Sequence, residues 1–209
     1  MTVSRVPTGR QILRVFSSTW QLKPPTLVIS VHGSYANLKK RFNFTMKKGL
    51  WKTMESVGCW IIGDALDRGI GKIAGEAVAE YVEAYGGDKM LAIGVTPMNS
   101  LKFKHLFNTN ASIIYYPSEE DETLTDPSMT LVQKYCSKRF HIDKNYNYLV
   151  MVSTPSCSGK QKNQHGPSTK SQTRMIVENE HVIETRVAVE RMVIGWRTVG
   201  VLPLFLSTK

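Results

Sequence analysis

The sequence of 209 residues predicts an α/β protein whose core is a parallel β-sheet built from right-handed βαβ units. Short runs rich in β-branched residues alternate along the chain with longer segments whose apolar residues recur at helical spacing. The runs are apolar almost throughout, which is typical of strands that are covered on both faces of a sheet. In such sheets ligands lie beyond the carboxyl ends of the strands, so the residues that follow each strand are the first candidates for a site.

The first βα unit is predicted at residues 26–31 and 38–57. The strand reads Thr-Leu-Val-Ile-Ser-Val and is followed by a turn that begins at His32. The helix is predicted because apolar residues recur three or four positions apart and therefore share one face: Leu38, Phe42, Met46, Leu50, Met54 and Val57. Gly58 is expected to end this helix. The lysines between these positions favour a solvated helix face over a nucleic-acid-binding patch.

The second βα unit is the one around which the rest of the chain is organised. It comprises an apolar run at residues 59–62, a turn rich in Asp and Gly, and a helix over residues 70–85. A strand, a glycine-bearing turn and a helix form the arrangement that directs backbone N–H groups and a positive helix end toward an anion. Further elements are predicted after this unit: strands at 91–95, 112–116 and 146–152, and a helix at 129–135.

The chain is predicted to divide into three parts. Residues 1–23 mix Arg, Ser and Thr without acidic residues, which predicts a flexible lead-in. Residues 24–155 hold the strands and helices of the α/β domain. Residues 156–209 are expected to be a linker and a poorly defined C-terminal segment. Their first part is almost free of apolar residues, and the apolar residues that follow fit neither a strand nor a helix pattern.

Composition excludes several classes of protein. Hydrophobic residues make up 42% and charged residues 21% of the chain, and these proportions exclude wholesale disorder. No apolar run is long enough for a membrane-spanning helix. Three cysteines without a pairing or metal-binding spacing are typical of a reducing cytosol. The net charge of +10 favours a nucleotide, a nucleic acid or an acidic membrane as partner, or reflects a solvated basic surface.

The glycines at the start of the second helix, Gly69, Gly71 and Gly75, form a G-x-G-x-x-x-G motif. The motif is one residue longer than the dinucleotide fingerprint, and the acidic residue expected after the next strand is missing. Ile73 stands where a phosphate-binding loop of the G-K-[ST] type has a hydroxyl. Two interpretations stay open: glycines that let the helix pack closely on the sheet, or an altered anion-binding turn.

Polar residues near the strand ends are the other candidates. Asp64 and Asp67 suit a metal ion or ribose hydroxyls, or the N-cap of the helix. Arg68 suits a phosphate group, or an ion pair with one of these carboxylates. His32 suits proton transfer or a phosphate contact, or an ordinary turn. Ser34 lacks the G-x-S-x-G pattern of a hydrolase elbow, so no catalytic triad is predicted.

A longer pattern runs through residues 24–152. Its blocks are, in order, Leu27-Val-Ile-Ser-Val-His-Gly-Ser-Tyr-Ala-Asn-Leu38, Lys48-Gly-Leu50, Gly58-Cys-Trp-Ile-Ile62, Gly69, Gly75-Glu-Ala-Val78 and Ile93-Gly-Val95. Their order and spacing resemble the N-terminal cytosolic homology region of melastatin-type TRP cation channels (the TRPM family). The resemblance implies a Rossmann-like parallel sheet with helices on both faces for residues 24–155, followed here by an irregular C-terminal part.

The resemblance also implies a function. In some melastatin channels this region binds ADP-ribose and helps to gate the pore, so a non-enzymatic ligand-sensing domain of a calcium-permeable channel is expected. Its ligand would be ADP-ribose or a related adenine nucleotide, without a metal ion or a nucleic acid. Its partners would be other channel subunits or domains, at the cytoplasmic side of the plasma membrane, or in the cytosol for this chain alone. The expected ligand residues are His32, Gly33, Ser34 and Asn37 in a first turn, and Gly63, Asp64, Ala65 and Gly69 in a second, with Arg68 beside it.

The sequence departs from the family pattern at these turns. Asp64 places a carboxylate where the family has a phosphate-facing glycine, and such a charge repels an anion. No further match is found after Val152, which fits a fragment, a short form or a diverged relative.

Two alternative functions stay open. The segment from Gly69 to Gly71, together with Glu76, retains part of the pattern of phosphoribohydrolases similar to the lonely-guy group. Such an enzyme would release a free base from a nucleoside monophosphate. Nucleic-acid binding would use the net charge of +10 and would weaken steeply with salt.

Overall fold

The computed structural model describes residues 1–32, 40–87, 90–108, 113–117, 139–153, 169–196 and 200–205. These residues contain one sheet of six parallel strands: β1 (Thr2–Val3), β2 (Leu27–His32), β3 (Cys59–Gly63), β4 (Met90–Pro97), β5 (Tyr148–Val152) and β6 (Gly200–Phe205). The strands lie side by side in the order β1-β5-β4-β3-β2-β6. The parallel sheet predicted from the apolar runs is confirmed.

Helices cover both faces of this sheet. The α-helices within the described residues are α1 (Gly9–Arg14), α2 (Lys40–Ser56), α3 (Gly69–Tyr85) and α4 (Thr169–Trp196). Helices α2 and α3 contact each other over one face, and α1 and α4 contact each other over the opposite face. Each face of the sheet has its own hydrophobic core. Successive side chains of β3 point to opposite faces, so Ile61 packs in the core under α2 and α3, and Ile62 packs in the core under α1 and α4. The Rossmann-like α/β class is therefore confirmed.

The two predicted βα units form as expected. The observed bounds of β2 and β3 differ from the predicted strands by a single residue at an end. Every residue of β3 is buried, as a strand between two helical layers requires. Helix α3 ends at Gly86, whose φ of +87° lies in the left-handed region that glycine adopts without strain.

Residues 1–23, which the composition predicts to be a flexible lead-in, contain a strand and helical turns in the structure. Thr8 and Gln11 form a capping box at the start of α1, in which Thr8 N donates to Gln11 Oε1 at 2.8 Å. A π-helical turn, Val15–Thr19, continues the helix. Ile12 and Phe16 lie one turn apart and are fully buried against the sheet. The helical spacing of these two apolar residues outweighs the polar composition around them.

The C-terminal segment also forms regular elements where an irregular part was expected. Helix α4 shows no clean amphipathic pattern because its buried residues include the polar Thr185 and Arg186, whereas Ile183 is 51% exposed. Strand β6 pairs in parallel with β2 along its whole length. Pro203 is tolerated within β6 because this strand lies at the edge of the sheet, where one side of the strand needs no ladder partner.

The predicted boundary at residue 155 does not divide the sheet. Strands β1 to β5 precede this residue and β6 follows it, and all six belong to one sheet. The described residues 113–117 belong to no strand, so the strand predicted at 112–116 does not form there. The helix predicted at 129–135 lies outside the described residues.

Candidate functional site

The carboxyl ends of the parallel strands meet at one edge of the sheet. Strands β2, β3, β4 and β5 follow one another in one direction, whereas β6 pairs with the opposite side of β2. The winding direction therefore reverses between β2 and β6, where His32 pairs with Phe205 in register. Such a reversal is the place where open α/β sheets bind ligands. We call the space beyond the carboxyl ends of β2 and β6 the switch crevice.

The glycines of the G-x-G-x-x-x-G motif make room for buried side chains. A Cβ atom at Gly71 would collide with the carboxylate of Asp64, and a Cβ atom at Gly75 would collide with Oδ2 of Asp143. Tyr146 lies between these positions and donates its hydroxyl to the carbonyl of Gly71 at 3.1 Å. The structure thus supports the interpretation that these glycines permit close packing of α3, because the protein's own side chains fill the space.

The other small residues of this turn, Gly63 and Ala65, also pack against side chains or backbone of the protein itself. A Cβ atom at Gly63 would meet the Tyr146 hydroxyl. Ala65 is fully buried, has a φ of +52°, and places its Cβ where a side chain on Gly94 would be. Gly69, with a φ of +56°, begins α3 in the left-handed region. Of the predicted second phosphate turn, therefore, Gly63 and Ala65 contact the core.

Asp64 is partly buried beside the first turn of α3. Its Oδ1 accepts a hydrogen bond from the backbone N–H of Leu66 at 3.3 Å. Burial raises the pKa of this carboxyl above its ordinary value, while the Leu66 hydrogen bond and the charges of Arg68 and Arg186 act in the opposite direction. The carboxylate thus lies in a cationic environment that offsets part of its cost of desolvation.

Asp67 and Arg68 are engaged with neighbours in the protein. Asp67 forms an ion pair with Lys72 at 2.7 Å. The guanidinium carbon of Arg68 lies 3.5 Å from the centroid of the Phe140 ring, in a cation–π contact. Arg68 is also the N-cap residue of α3, and no side chain caps this helix by a hydrogen bond. Neither aspartate therefore acts as the N-cap that the sequence suggested as an alternative.

Arg186 of α4 lies at this edge of the sheet, and the sequence analysis did not single it out. It is 8% exposed, and its Nη2 donates to the carbonyls of Val31 at 2.8 Å and Ile62 at 2.9 Å. These carbonyls lie at the carboxyl ends of β2 and β3. A charged group reaches this position because α4 crosses the sheet on its way to β6.

Two further side chains hold Arg186 in place. Its Nε donates to Oε1 of Glu190 at 2.9 Å, and its Nη2 approaches the Ser30 hydroxyl at 2.7 Å. Ser30 in turn donates to Glu190 at 2.6 Å. The described part of the chain supplies no hydrogen-bond partner for Nη1 of Arg186, so its two N–H groups are available to a ligand at this edge. The four-residue spacing of Arg186 and Glu190 was the sequence signal for this pair.

The remaining predicted residues belong to the first turn. His32 is exposed and is the last residue of β2, so it borders the switch crevice. Gly33, Ser34 and Asn37 lie outside the described residues, and their role as ligand contacts stays a prediction.

Glu76, the acid of the phosphoribohydrolase alternative, lies on the outer surface shared by α2 and α3. Lys47 pairs with it at 3.2 Å and also with Glu80. These contacts give Glu76 structural partners, about two turns from the start of α3, and give no support to the enzyme alternative. Within the described ranges, no three potential metal-ligating side chains form a group.

The parallel sheet, the helices on both of its faces and the winding reversal define a Rossmann-like α/β domain. A sequence model of the family described as "SLOG in TRPM" matches residues 2–154. This match spans most of the chain, and the chain therefore belongs to the SLOG domains of the TRPM family. The match begins at residue 2, so the family domain includes β1 and α1.

Individual relatives agree with this assignment. The chain is 32% identical over 117 residues to a transient receptor potential channel of Caenorhabditis elegans, covering 54% of this chain and 6% of that protein. It is 31% identical over 88 residues to the human transient receptor potential cation channel subfamily M member 6, covering 41% of this chain and 4% of the relative. The rat subfamily M member 7 channel is 34% identical over 88 residues, with 41% and 5% covered.

The aligned region is thus a small part of each of these relatives. Among the described helices, none is both long and apolar enough to cross a membrane.

Proposed function

We propose that this domain is a ligand-sensing, regulatory part of a calcium-permeable TRPM-type cation channel, and that it binds ADP-ribose or a related adenine nucleotide in the switch crevice. Family membership and the names of the relatives support the channel context. The net charge of +10 supports an anionic ligand. Its partners would be other channel subunits or domains at the cytoplasmic face of the plasma membrane.

Arg186 carries the proposal for the ligand. A guanidinium that is 8% exposed acts in a medium of low dielectric, where its attraction to a phosphate is stronger than in water. Its Nη2 and Nε are held by the protein, so Nη1 could bind a ligand without a further loss of side-chain freedom. This preorganised cation is the feature that a diphosphate ligand would recognise.

The proposed mechanism is binding without chemistry. Backbone N–H groups beyond β2 and the Arg186 guanidinium would hold the phosphates at the edge of the sheet. In a channel, a ligand shifts the balance between closed and open states by as much as its affinity for the two states differs. Because Arg186 joins α4 to the ends of β2 and β3, a bound phosphate would draw these three elements together.

The proposal is tested by a calorimetric titration of the purified chain with ADP-ribose at physiological salt. The unchanged protein should give a saturable heat of binding. Arg186→Lys keeps the charge but loses the planar fork, so its affinity for ADP-ribose should be at least tenfold lower. Arg191→Ala removes an exposed arginine from the same helix and should leave the affinity within about twofold. Thermal melting of each variant checks that it is folded.

The absence of a saturable heat from the folded, unchanged chain would contradict nucleotide binding. Equal losses in Arg186→Lys and Arg191→Ala would place the ligand elsewhere than at Arg186.

A further inference from the structure

We propose that Asp64 is a built-in anion at the first turn of α3, and that it determines ligand specificity by excluding phosphate from this helix end and leaving Arg186 as the phosphate contact. The inference deepens the proposed function and rests on it for the identity of the ligand. It assigns a role to a carboxylate that is otherwise unexpected at an anion-binding edge.

The first step concerns the helix end itself. Helix α3 has 17 residues, no acidic residue in its first turn and no side-chain cap. Lys72 is the first residue whose N–H bonds back to the preceding turn, to the carbonyl of Arg68 at 3.2 Å. The N–H groups before it point away from the helix, toward the carboxyl edge of the sheet, and carry the positive end of the helix dipole.

The second step concerns what fills this position. Asp64 follows directly after β3, and its Oδ1 lies where a side chain on Gly71 would be, against the first turn of α3. The hydrogen bond from Leu66 N–H to Oδ1, at 3.3 Å, fixes the carboxylate in this orientation. Gly71 and Asp64 are therefore complementary: the glycine has no side chain at the point that the carboxylate occupies.

The third step concerns charge. The Asp64 carboxylate experiences the attraction of Arg68 and Arg186 and the positive end of α3. These are the groups that would attract a phosphate to the same point. A carboxylate already at this point excludes a phosphate both by its volume and by like-charge repulsion.

The test uses inorganic pyrophosphate, so that it does not depend on any nucleotide. Binding is followed by calorimetry and by the amide chemical shifts of Gly69, Ile70 and Gly71. Asp64→Gly removes both charge and volume and should bind pyrophosphate on the order of tenfold to a hundredfold more tightly than the unchanged chain. Asp64→Asn removes the charge and keeps the volume, so it should fall between the two.

Asp143→Asn is the matched control. It makes the same change of net charge at a buried carboxylate that lies against Gly75, one turn further along α3. Its pyrophosphate affinity should stay within about twofold of the unchanged chain if the effect is local to the first turn. A folded Asp64→Gly protein that binds pyrophosphate no more tightly than the unchanged chain would overturn the proposal. An equal gain in Asp143→Asn would also overturn it, because net charge alone would then explain the effect.

The outcome separates this inference from the proposed function. Binding of ADP-ribose by the unchanged chain, without a gain of pyrophosphate binding in Asp64→Gly, refutes the role of Asp64 and leaves nucleotide sensing intact. A gain in Asp64→Gly without ADP-ribose binding by the unchanged chain supports the role of Asp64 and refutes nucleotide sensing.

Discussion

Asp143 provides a quantitative test of the packing beneath α3. This residue is 3% exposed, and its Oδ2 has no hydrogen-bond partner where it lies against Gly75. Burial is the main cause that raises its pKa to about 6, and the hydrogen bond from Asn145 N–H to Oδ1, at 3.0 Å, acts in the opposite direction. Asp143→Asn keeps the acceptor for Asn145 and removes the buried charge, so we expect the variant to be more stable at neutral pH.

The magnitude follows from linkage between protonation and folding. The carboxyl has an ordinary pKa of 3.8 in the unfolded chain and about 6 in the folded chain. A raised folded pKa means that the folded state binds more protons between these values. The free energy of unfolding is therefore highest, as far as this group is concerned, below pH 3.8. It falls as the pH rises from 3.8 through 6. The loss corresponds to about 3 kcal/mol, of which most is recovered by the substitution at pH 7.

The assay is urea unfolding of the unchanged chain and of Asp143→Asn across the range from acid to neutral pH. The stability difference between the two proteins should change by about 2–3 kcal/mol in favour of the variant as the pH rises. Glu83→Gln, at an exposed position of α3, serves as the control and should show little change. A difference for Asp143→Asn that is independent of pH, or that changes in the opposite direction, would refute the reasoning.

Two further substitutions test the packing described above. Gly71→Ala places a methyl group against the Asp64 carboxylate, so we expect a loss of about 1–3 kcal/mol in urea unfolding and a recovery when Asp64→Gly is added. No loss in the single variant would show that the carboxylate does not occupy this space. Phe16→Ala should cost about 3–5 kcal/mol because the ring is fully buried, whereas the exposed Ser17→Ala should cost much less. Equal and small effects would restore the interpretation of residues 1–23 as a flexible lead-in.

The sequence was sufficient to predict the elements whose patterns are local. Strand β3 and helix α3 were predictable because a buried parallel strand is apolar at every position and a one-sided helix repeats at helical spacing. The capping box of Thr8 and Gln11 is equally local, and it marks the start of α1 in a segment whose composition alone suggested flexibility.

Other features depend on contacts between distant parts of the chain. Arg186 binds the carbonyl of Val31, which is 155 positions away in sequence, so its place at the strand ends follows from the topology of α4 and β6. Buried polar residues in α4 also disrupt the apolar pattern by which a helix is recognised. The exact role of a glycine is similarly non-local, since Gly75 faces Asp143 from a different part of the chain.

In the candidate site, too, some features could be predicted from local sequence patterns, and others depend on contacts between distant residues. The sequence predicted that the ends of β2 and β3 would lie together, and the register of the two strands confirms this. It also identified Asp64 as a departure at the second turn, but the contact between its carboxylate and Gly71 could be seen only once α3 was placed on the sheet.

A crystal structure of the chain with ADP-ribose would test the central claim most directly. The account predicts that the diphosphate lies in the switch crevice against Nη1 of Arg186, with the Asp64 carboxylate still in place beside Gly71. A diphosphate bound at the first turn of α3 with Asp64 displaced would contradict the proposed role of Asp64. A crystal grown at saturating ADP-ribose with no nucleotide at the carboxyl edge of the sheet would contradict the proposed ligand site as a whole.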